Sequence, residues 1–438
     1  MMSCRRYAVL FLFTLAAMVC ILVVSPSAMG KGRIEITPMV TISEVYDDNI
    51  FLDKENTKSD YITTISPGIG LNMYSQHNGL DLFYAPTFVK YHEYSDNDTT
   101  RHSARLHAWQ QMGKSLRFDL RDEYLKSEDP AETSLAGYEE RQRLRHTRYT
   151  YERNIADAAL QYRFGPEDSL KIGYRHELME NKDPLLDDTT EHGPYGGVTY
   201  WFDKHNGMDL NYRFTRASFE RNDGNPSGDD FDGHEADVRY LYRWNQKTQA
   251  YIGYGYTSRD FEDESRDDRT VHEGSVGMTH RFSPLTSLSL DVGYYKPEGY
   301  GTDDTGHLSY GATLNRTLER GALSLKARSG WDEDYLDAED QRGYTRYWSV
   351  AGDVDYALLE NLTAYAGGSY RENTYHLTDD EDKTYRGRGG LAIRFLRWYS
   401  VSLEYAYLNR RSDDPGDEYV DNRIMLIFSA SRPFRLSN

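Results

Sequence analysis

The twelve residues from Gly233 to Trp244, GHEADVRYLYRW, alternate between apolar and polar side chains. One parity holds Ala236, Val238, Tyr240, Tyr242 and Trp244, and the other holds Glu235, Asp237, Arg239, Leu241 and Arg243. A strand places successive side chains on opposite faces, whereas a helix would scatter these residues around its axis. The segment therefore predicts a strand with one apolar face and one charged face.

The same alternation recurs along most of the chain. It is clear at 208–215, 288–295, 348–358, 385–395 and 400–407. Counting such segments predicts about 20 strands, with 18 as the alternative, the first near 34–46, the second near 61–73 and the last near 422–434. An even number of strands would place both ends of an antiparallel barrel on the periplasmic side.

The connections between these segments alternate between short and long. The short ones are 75–79 (SQHNG), 165–168 (GPED), 203–207 (DKHNG), 245–248 (NQKT), 283–286 (SPLT), 319–321 (ERG) and 396–399 (LRWY). The long ones are 181–191, 221–232, 262–268, 332–340, 378–382 and 412–419, and they are acidic. A soluble β-sandwich would also alternate, but short turns on one rim and long loops on the other are typical of outer-membrane barrels. The sequence therefore predicts an all-β, antiparallel, up-and-down transmembrane barrel.

A bulky residue recurs near the short connections. The positions are Phe164, Phe202, Trp244, Phe282, Leu318, Leu358, Phe395 and Phe434. Their spacing is nearly constant, so each interval corresponds to one hairpin. Aromatic side chains gather at membrane interfaces. We therefore predict a periplasmic aromatic girdle made of Phe164, Phe202, Trp244, Phe282, Phe395 and Phe434.

The first thirty residues differ from the rest of the chain. Arg5 and Arg6 precede an apolar run at 7–24, and small residues follow up to Gly30. This order predicts a cleaved signal peptide at 1–30 and a barrel at 31–438. A retained membrane anchor is the alternative, because the apolar run is just long enough to span. Cleavage would remove both cysteines, Cys4 and Cys20, and with them any disulfide or thiolate site.

The overall charge and composition narrow the class of partner. The chain has 70 acidic and 51 basic residues, a formal charge of −19. Nucleic acid is excluded as a partner, because its phosphates require a basic surface. The 37 Tyr, 16 Phe and 6 Trp argue against disorder.

Pro38, Pro67 and Pro86 lie inside the first three predicted strands and predict interruptions there, because proline cannot donate to a ladder.

The polar parity of the strands is rich in charged residues. Facing lipid at mid-depth, each Arg or Lys would cost about 2–4 kcal/mol, so this parity should face a water-filled lumen. The candidate lining residues are Arg163, Arg175, Arg213, Asp237, Arg239, Arg243, Arg281, Asp291, Lys326, Arg328, Asp353, Asp355, Arg371, Arg386, Arg388, Arg394 and Glu404. They would either select solutes or form ion pairs that stiffen the wall.

Other kinds of site are weakly supported. The chain has no Gly-x-Ser-x-Gly, His-Glu-x-x-His or Walker motif, so we expect no enzyme, no cofactor and no catalytic residues. Acidic pairs in the long loops could bind divalent cations that bridge to lipopolysaccharide, but none has calcium-loop spacing, and we expect no dedicated metal site. Tyr251, Tyr295 and Tyr365 could stack against sugar rings or simply fill space.

Two groups of segments resemble a known family. They are SEVYDDNIF at 43–51 with SDYITTISPGI at 59–69, and YRFGPEDSL at 162–170 with WFDKHNG at 201–207. These stretches resemble β-barrel porin families often encoded beside exopolysaccharide and exosortase gene clusters. The resemblance implies an outer-membrane conduit that exports polysaccharide with a periplasmic partner. The last strand, with Phe434 four residues before the end, resembles the signal read by the barrel-assembly machinery, although Arg432 and Pro433 interrupt it.

The function expected from these features is an outer-membrane channel that serves the export of a secreted polysaccharide. Its surroundings would be outer-membrane lipid and lipopolysaccharide. A general diffusion porin is the first alternative, and it would fold a long loop into the lumen, for which 126–142 is the best candidate. A non-transporting surface protein is the second, and it would have a plugged lumen.

Overall fold

The computed structural model describes residues 32–129, 148–184, 186–221, 229–264, 266–299, 305–332, 344–376, 379–413 and 415–437. The predicted signal peptide and most of the predicted lumenal loop, 126–142, lie outside these residues. In the described part of the chain, no helix has the length and apolar character needed to cross a membrane.

The described residues form one closed antiparallel barrel of 20 strands, as predicted. The strands are β1 (Arg33–Asp47), β2 (Asp60–Tyr74), β3 (Asn78–Tyr91), β4 (Thr99–Met112), β5 (Leu116–Ser127), β6 (Tyr151–Arg163), β7 (Ser169–Asn181), β8 (Asp188–Trp201), β9 (Asn206–Glu220), β10 (Phe231–Asn245), β11 (Thr248–Phe261), β12 (Arg269–Ser283), β13 (Thr286–Glu298), β14 (His307–Leu318), β15 (Gly321–Asp332), β16 (Thr345–Leu359), β17 (Leu362–Tyr375), β18 (Glu381–Phe395), β19 (Tyr399–Ser412) and β20 (Tyr419–Ser431). A four-residue piece, β21 (Phe434–Ser437), continues β20. Two 3-10 turns, Ser95–Asn97 and Pro415–Asp417, lie in long connections.

The barrel closes where β1 pairs with the last strand in two pieces. β20 pairs with β1 from Met39 to Asp47, and β21 pairs with it from Arg33 to Ile36. Between the pieces, Arg432 and Pro433 leave the ladder, opposite Pro38. The predicted interruption of the last strand is therefore present, and it lies in the closing seam.

The other strand prolines also coincide with interruptions. The β2–β3 ladder pairs Ile65 with Phe88 and resumes at Ile69 with Tyr84, and Pro67 and Pro86 lie in the gap. The sequence did not single out Pro194, but the β8–β9 ladder has a similar gap beside it. All of these interruptions have the same cause: proline has no backbone N–H to donate to the ladder.

The two faces of the closed sheet differ as the alternation predicts. One face carries exposed apolar side chains at mid-strand, such as Ile172, Ile252 and Val276, each more than half exposed. The other face carries the charged parity, and some of its residues, such as Tyr91 and Tyr295, are fully buried. In a closed barrel, side chains of the wall become enclosed only on the inner side. The charged face is therefore the interior.

Candidate functional site in the charged inner wall

All seventeen candidate lining residues lie on the inner face. The register carries this parity from strand to strand: Arg213 pairs with Glu235, Arg239 with Gly253, and Asp353 with Gly367. Arg388 continues it beside Gly367, and Glu404 follows on β19. Directly paired residues share one face of a sheet. Whether these residues act on a solute stays a prediction.

Near the short turns the inner wall is open to solvent. Exposed charged side chains there include Arg163, Lys171, Arg213, Arg281, Lys326, Asp353, Asp355, Arg388 and Arg394. The ion pair between Arg388 and Asp353 has an N–O distance of 2.8 Å, and both side chains remain more than half exposed. We call this region, the half of the inner wall nearest the short turns, the open half.

Aromatic rings in the open half lie flat on glycines of the next strand. Tyr251 pairs directly with Gly277 and covers it, and Tyr195 covers Gly173 in the same way. A Cβ on either glycine would overlap the ring. Because the ring occupies the space of the missing side chain, it adds little bulk to the lumen.

The three tyrosines that could either stack against sugars or fill space differ from one another. Tyr251 lies on Gly277, and Tyr365 lies on Gly390 and donates a 2.6 Å hydrogen bond to Glu404. Both are partly exposed to the lumen. Tyr295 is fully buried, with Val271 and Tyr344 packed against it. Of the two alternatives, stacking against a sugar or filling space, the structure favours the second for Tyr295, because its ring has no free face.

Near the long loops the same inner face is closely packed. Buried residues of this parity occur on most strands and include Asp47, Ile62, Val89, Tyr91, Ser127, Glu177, Thr215, Phe219, Phe231, Val271, Tyr295, Asp382, Arg410 and Asp421. Several belong to apolar clusters, such as that of Ala217, Phe219 and Phe231. We call this region the packed half.

The packed half contains ion pairs that are shielded from water. Arg410 on β19 binds Asp382 on β18 and lies 3.3 Å from Asp417, and all three side chains are less than a tenth exposed. Tyr375 donates a 2.6 Å hydrogen bond to the same Asp382. These charges can be buried only because each has a partner.

The connection between β5 and β6 reaches the inner face at both of its described ends. Arg101 on β4 donates to Glu128 at 2.7 Å, and Asp129 lies 3.3 Å from Arg423 on β20. At the other end, Arg148 donates to the Ile50 carbonyl at 2.6 Å and to the Tyr91 hydroxyl at 2.7 Å. Both ends of this connection therefore turn into the barrel.

Sequence reasoning missed Glu128, Asp129 and Arg148 as functional candidates. They lie in an irregular segment, where no alternation assigns a side chain to a face. The one available signal was the position of Glu128 and Asp129 within 126–142, the stretch predicted as a lumenal loop.

Three carboxylates of the packed half come close enough to suggest a cation site. Oxygen atoms of Asp47, Asp48 and Asp421 lie within 4.8 Å of one another. However, Arg423 approaches Asp47 at 3.2 Å, and Asn422 donates to Asp48 through both its backbone and its side chain. Protein groups thus already balance these carboxylates, and a metal is not required.

On the outer face, the predicted girdle residues lie together at the short-turn end. Phe164, Phe202, Trp244, Phe282, Phe395 and Phe434 are all exposed, from 38% to 58%. Neighbouring rings touch: Phe164 stacks on Tyr200, and Tyr200 meets the edge of Phe202. The arrangement matches an interfacial belt.

Comparison with known proteins agrees with this architecture. Residues 308–432, which cover β14 to β20, match the family model described as "Putative beta-barrel porin 2". The chain is a β-barrel of the outer membrane whose last seven strands match this porin family. The resemblance found in the sequence is thereby confirmed, and so is the predicted location.

Several solved structures align with the chain at low sequence identity. The siderophore receptor PirA of Pseudomonas aeruginosa aligns with a TM-score of 0.50 and 7% identity, over 90% of this chain and 80% of that one. OccAB4 of Acinetobacter baumannii aligns at 0.47 and 10%, over 94% and 100%. OpdK of Pseudomonas aeruginosa, solved with vanillate, aligns at 0.38 and 13%, over 92% and 99%. A search of curated proteins found no match.

Proposed function

We propose that this porin-type barrel is a water-filled channel whose cargo is an acidic polysaccharide leaving the cell. The observation that carries the proposal is the open half of the inner wall. Its charged side chains are exposed to solvent inside a closed barrel of 20 strands. Barrels of this size have room for water or a plug beyond their own side chains.

The distribution of charge supports an anionic cargo. Within four residues of the short turns and of the start of β1, the inner face carries four acids, Glu35, Asp81, Asp119 and Asp209, against a larger set of cations. The cations are Arg33, Arg117, Arg163, Lys171, Arg243, Arg281 and Arg394. Arg163, Lys171, Arg281 and Arg394 form no ion pair with any residue the structure describes. A mouth of one charge sign concentrates ligands of the opposite sign.

The long connections carry the opposite charge. The ten connections at the outer rim contain 34 acidic and 10 basic residues, whereas the nine short turns contain 5 of each. An anionic chain would therefore be attracted at the periplasmic mouth and repelled from the outer rim, which favours release outward. The resemblance to families encoded beside exopolysaccharide genes supports the same cargo.

A general diffusion porin is the second candidate, and one observation favours it. Glu128, Asp129 and Arg148 show that both described ends of the β5–β6 connection turn into the barrel. A long loop folded into the lumen was the feature expected of such a porin. In this case small polar solutes, and not a polymer, would cross.

Planar-bilayer recordings of the purified barrel test these proposals. We expect ion conductance, and we expect oligomers of polygalacturonate, added at the short-turn side, to block it at lower concentration than dextran oligomers of equal length. Equal block by the two polymers would contradict the anionic cargo. Conductance absent at every voltage would contradict both channel functions and favour a surface protein.

Deletion of the gene tests export in the cell. We expect loss of surface polysaccharide, restored by the intact gene. Unchanged surface polysaccharide would overturn export and leave the diffusion porin standing. The expected absence of enzymatic activity, and the expected contacts with the assembly machinery and a periplasmic export protein, stay predictions.

A further inference from the structure

Four tyrosine–histidine pairs repeat on the outer, lipid-facing side of the barrel. The tyrosine hydroxyl lies 2.9 Å from the imidazole in the pair Tyr84–His102, 2.5 Å in Tyr174–His192, 2.8 Å in Tyr212–His234 and 2.6 Å in Tyr254–His272. In every pair the tyrosine lies on a strand that rises to a long connection, and the histidine lies on the strand that returns from it. The last three pairs occupy successive hairpins, β7 to β12, which we call the histidine arc.

The geometry within the four pairs is the same. Each histidine lies diagonally across the ladder, two residues nearer the long connection than the tyrosine's direct partner. For example, Tyr212 pairs with Ala236 and bonds to His234, and Tyr254 pairs with Gly274 and bonds to His272. Two other hairpins keep the tyrosine and change its partner, to Glu152 for Tyr124 and to Asn422 for Tyr405.

The depth of the arc in the membrane follows from residue counting. His192, His234 and His272 each precede a residue of the periplasmic girdle, Phe202, Trp244 and Phe282, by ten positions. Ten residues of strand span about 33 Å. At a strand tilt of about 40° this becomes roughly 25 Å along the membrane normal, which is the height of the apolar band in such barrels. The arc therefore lies at the outer interface, at the level of the lipid headgroups.

The tyrosines orient the imidazoles. In all four pairs the hydroxyl meets Nδ1, and none of the four Nε2 atoms has a hydrogen-bond partner among the described residues. When the phenol donates to Nδ1, the proton of the neutral ring is on Nε2, and the protonated ring also has a proton there. Nε2 is thus presented as a hydrogen-bond donor in both states.

The surroundings of the arc add positive charge. Arg216 pairs directly with His192 across the β8–β9 ladder, and the ring of His176 lies 5.0 Å from that of His192. The nearby acids are Asp232, which Arg216 holds through two hydrogen bonds of 2.8 and 2.7 Å, Asp260, which pairs directly with Asp232 across the β10–β11 ladder, and Glu298, which binds Lys296 at 2.7 Å. The arc therefore offers several donors to an anion at headgroup depth.

We propose that the histidine arc binds the phosphate groups of lipopolysaccharide in the outer leaflet. Phosphate oxygens accept strong hydrogen bonds from charged or polarised N–H donors. The tyrosines hold the donors in place, so little side-chain freedom is lost on binding. The inference rests on the location of the barrel in the outer membrane and is independent of what passes through its lumen.

The test compares H192Q/H234Q/H272Q with a matched triple variant at the opposite rim, H77Q/H205Q/H280Q. Each protein is placed in phosphatidylcholine nanodiscs with lipid A, or with lipid A whose phosphates have been removed, and bound lipid is counted by native mass spectrometry. We expect the natural protein and the control to retain phosphorylated lipid A about tenfold better. The arc variant should lose most of that preference. Excess inorganic phosphate should not displace the lipid.

Two outcomes would overturn the proposal: no preference for phosphorylated lipid A in the natural protein, or a full preference in the arc variant. Heat-modifiable mobility on gels verifies that each barrel is folded. If the triple variant does not fold, ¹⁵N spectra of imidazole in the natural protein decide the question. Lipid A should then shift the Nε2 signals of the arc and not that of His280, and unshifted arc signals would refute binding.

Discussion

The open half and the packed half of the inner wall are built from the same alternation, yet they are physically different. In the open half, Arg388 and Asp353 form an ion pair in contact with water. In the packed half, Arg410 and Asp382 form the same kind of pair, almost fully buried. The difference is that side chains and connections cover the wall near the long loops. The parity of a residue decides on which face of the wall its side chain lies. Burial by neighbouring side chains and connections decides how much its charge affects the free energy of unfolding.

The largest expected effect contrasts these two arginines directly. Arg410→Met leaves Asp382 buried without its cation, so we expect a loss of about 3–5 kcal/mol in the free energy of unfolding. Arg388→Met leaves Asp353 exposed to water, so the loss should be under about 1 kcal/mol. Urea unfolding of the detergent-solubilised barrel measures both.

Adding Asp382→Asn to Arg410→Met should recover part of the lost stability, because no unpaired charge then remains at that position. Equal losses for the two single variants would contradict the distinction between the halves.

The next effect concerns the volume that side chains of the open half occupy in the lumen. Gly277→Ala places a Cβ where the ring of Tyr251 lies, so the ring must move toward the lumen. We expect a loss of about 1–3 kcal/mol from overpacking, together with a lower single-channel conductance. Gly274→Ala on the same strand is the control, since no atom lies within 4 Å of its added Cβ. The same stability for both variants would show that the ring does not depend on the glycine.

A smaller effect concerns ion selectivity. Arg281→Ser combined with Arg394→Ser removes two exposed cations from the inner face beside the short turns. We expect the anion-to-cation permeability ratio, taken from the reversal potential in a salt gradient, to fall on the order of twofold. Arg316→Ser removes an exposed cation from the outer face at the same end and should leave the ratio unchanged. If Arg316→Ser matches the double variant, the selectivity does not arise in the lumen.

The smallest effect is a local titration at the short-turn rim. Arg243 donates two hydrogen bonds to Glu167, at 3.0 and 2.6 Å, and holds the pKa of that exposed carboxyl below its ordinary value. Because the folded-state pKa is lowered, the pair is intact above the ordinary Glu pKa of about 4.3 and is lost as the pH falls through the lowered one. Carboxyl ¹³C shifts should show this midpoint, and Arg243→Gln should raise it. A midpoint unaffected by the substitution would refute the pairing.

The sequence alone could predict the features that depend on local periodicity. Alternation assigned Arg239 and Asp353 to the inner face, and turn residues located seven of the nine short connections. The turns at 113–115 and 360–361 were missed, because no Pro or Asn cluster marks the first and the second follows an unbroken apolar run.

The packed half could not be predicted in the same way. Tyr295 has the same parity as Asp291, and it is buried because Val271, Trp331 and, from a distant connection, Tyr344 pack around it. Arg148 lies in a segment without periodicity, and its partners are Ile50, from the connection between β1 and β2, and Tyr91, at the end of β3. Burial of this kind depends on how the loops fold over the wall, which is a non-local property of the chain.

The seam at Arg432 and Pro433 has a consequence for how the barrel tolerates mutation. The two residues that leave the ladder preserve the parity of the strand, so Phe434 and Leu436 point outward like Phe428. Deleting either one would turn both terminal side chains toward the lumen and put Arg435 against lipid. The number of residues in this gap is therefore more strictly constrained than their identity. Substitution of Arg432 or Pro433 should be tolerated, whereas deletion of either one should not.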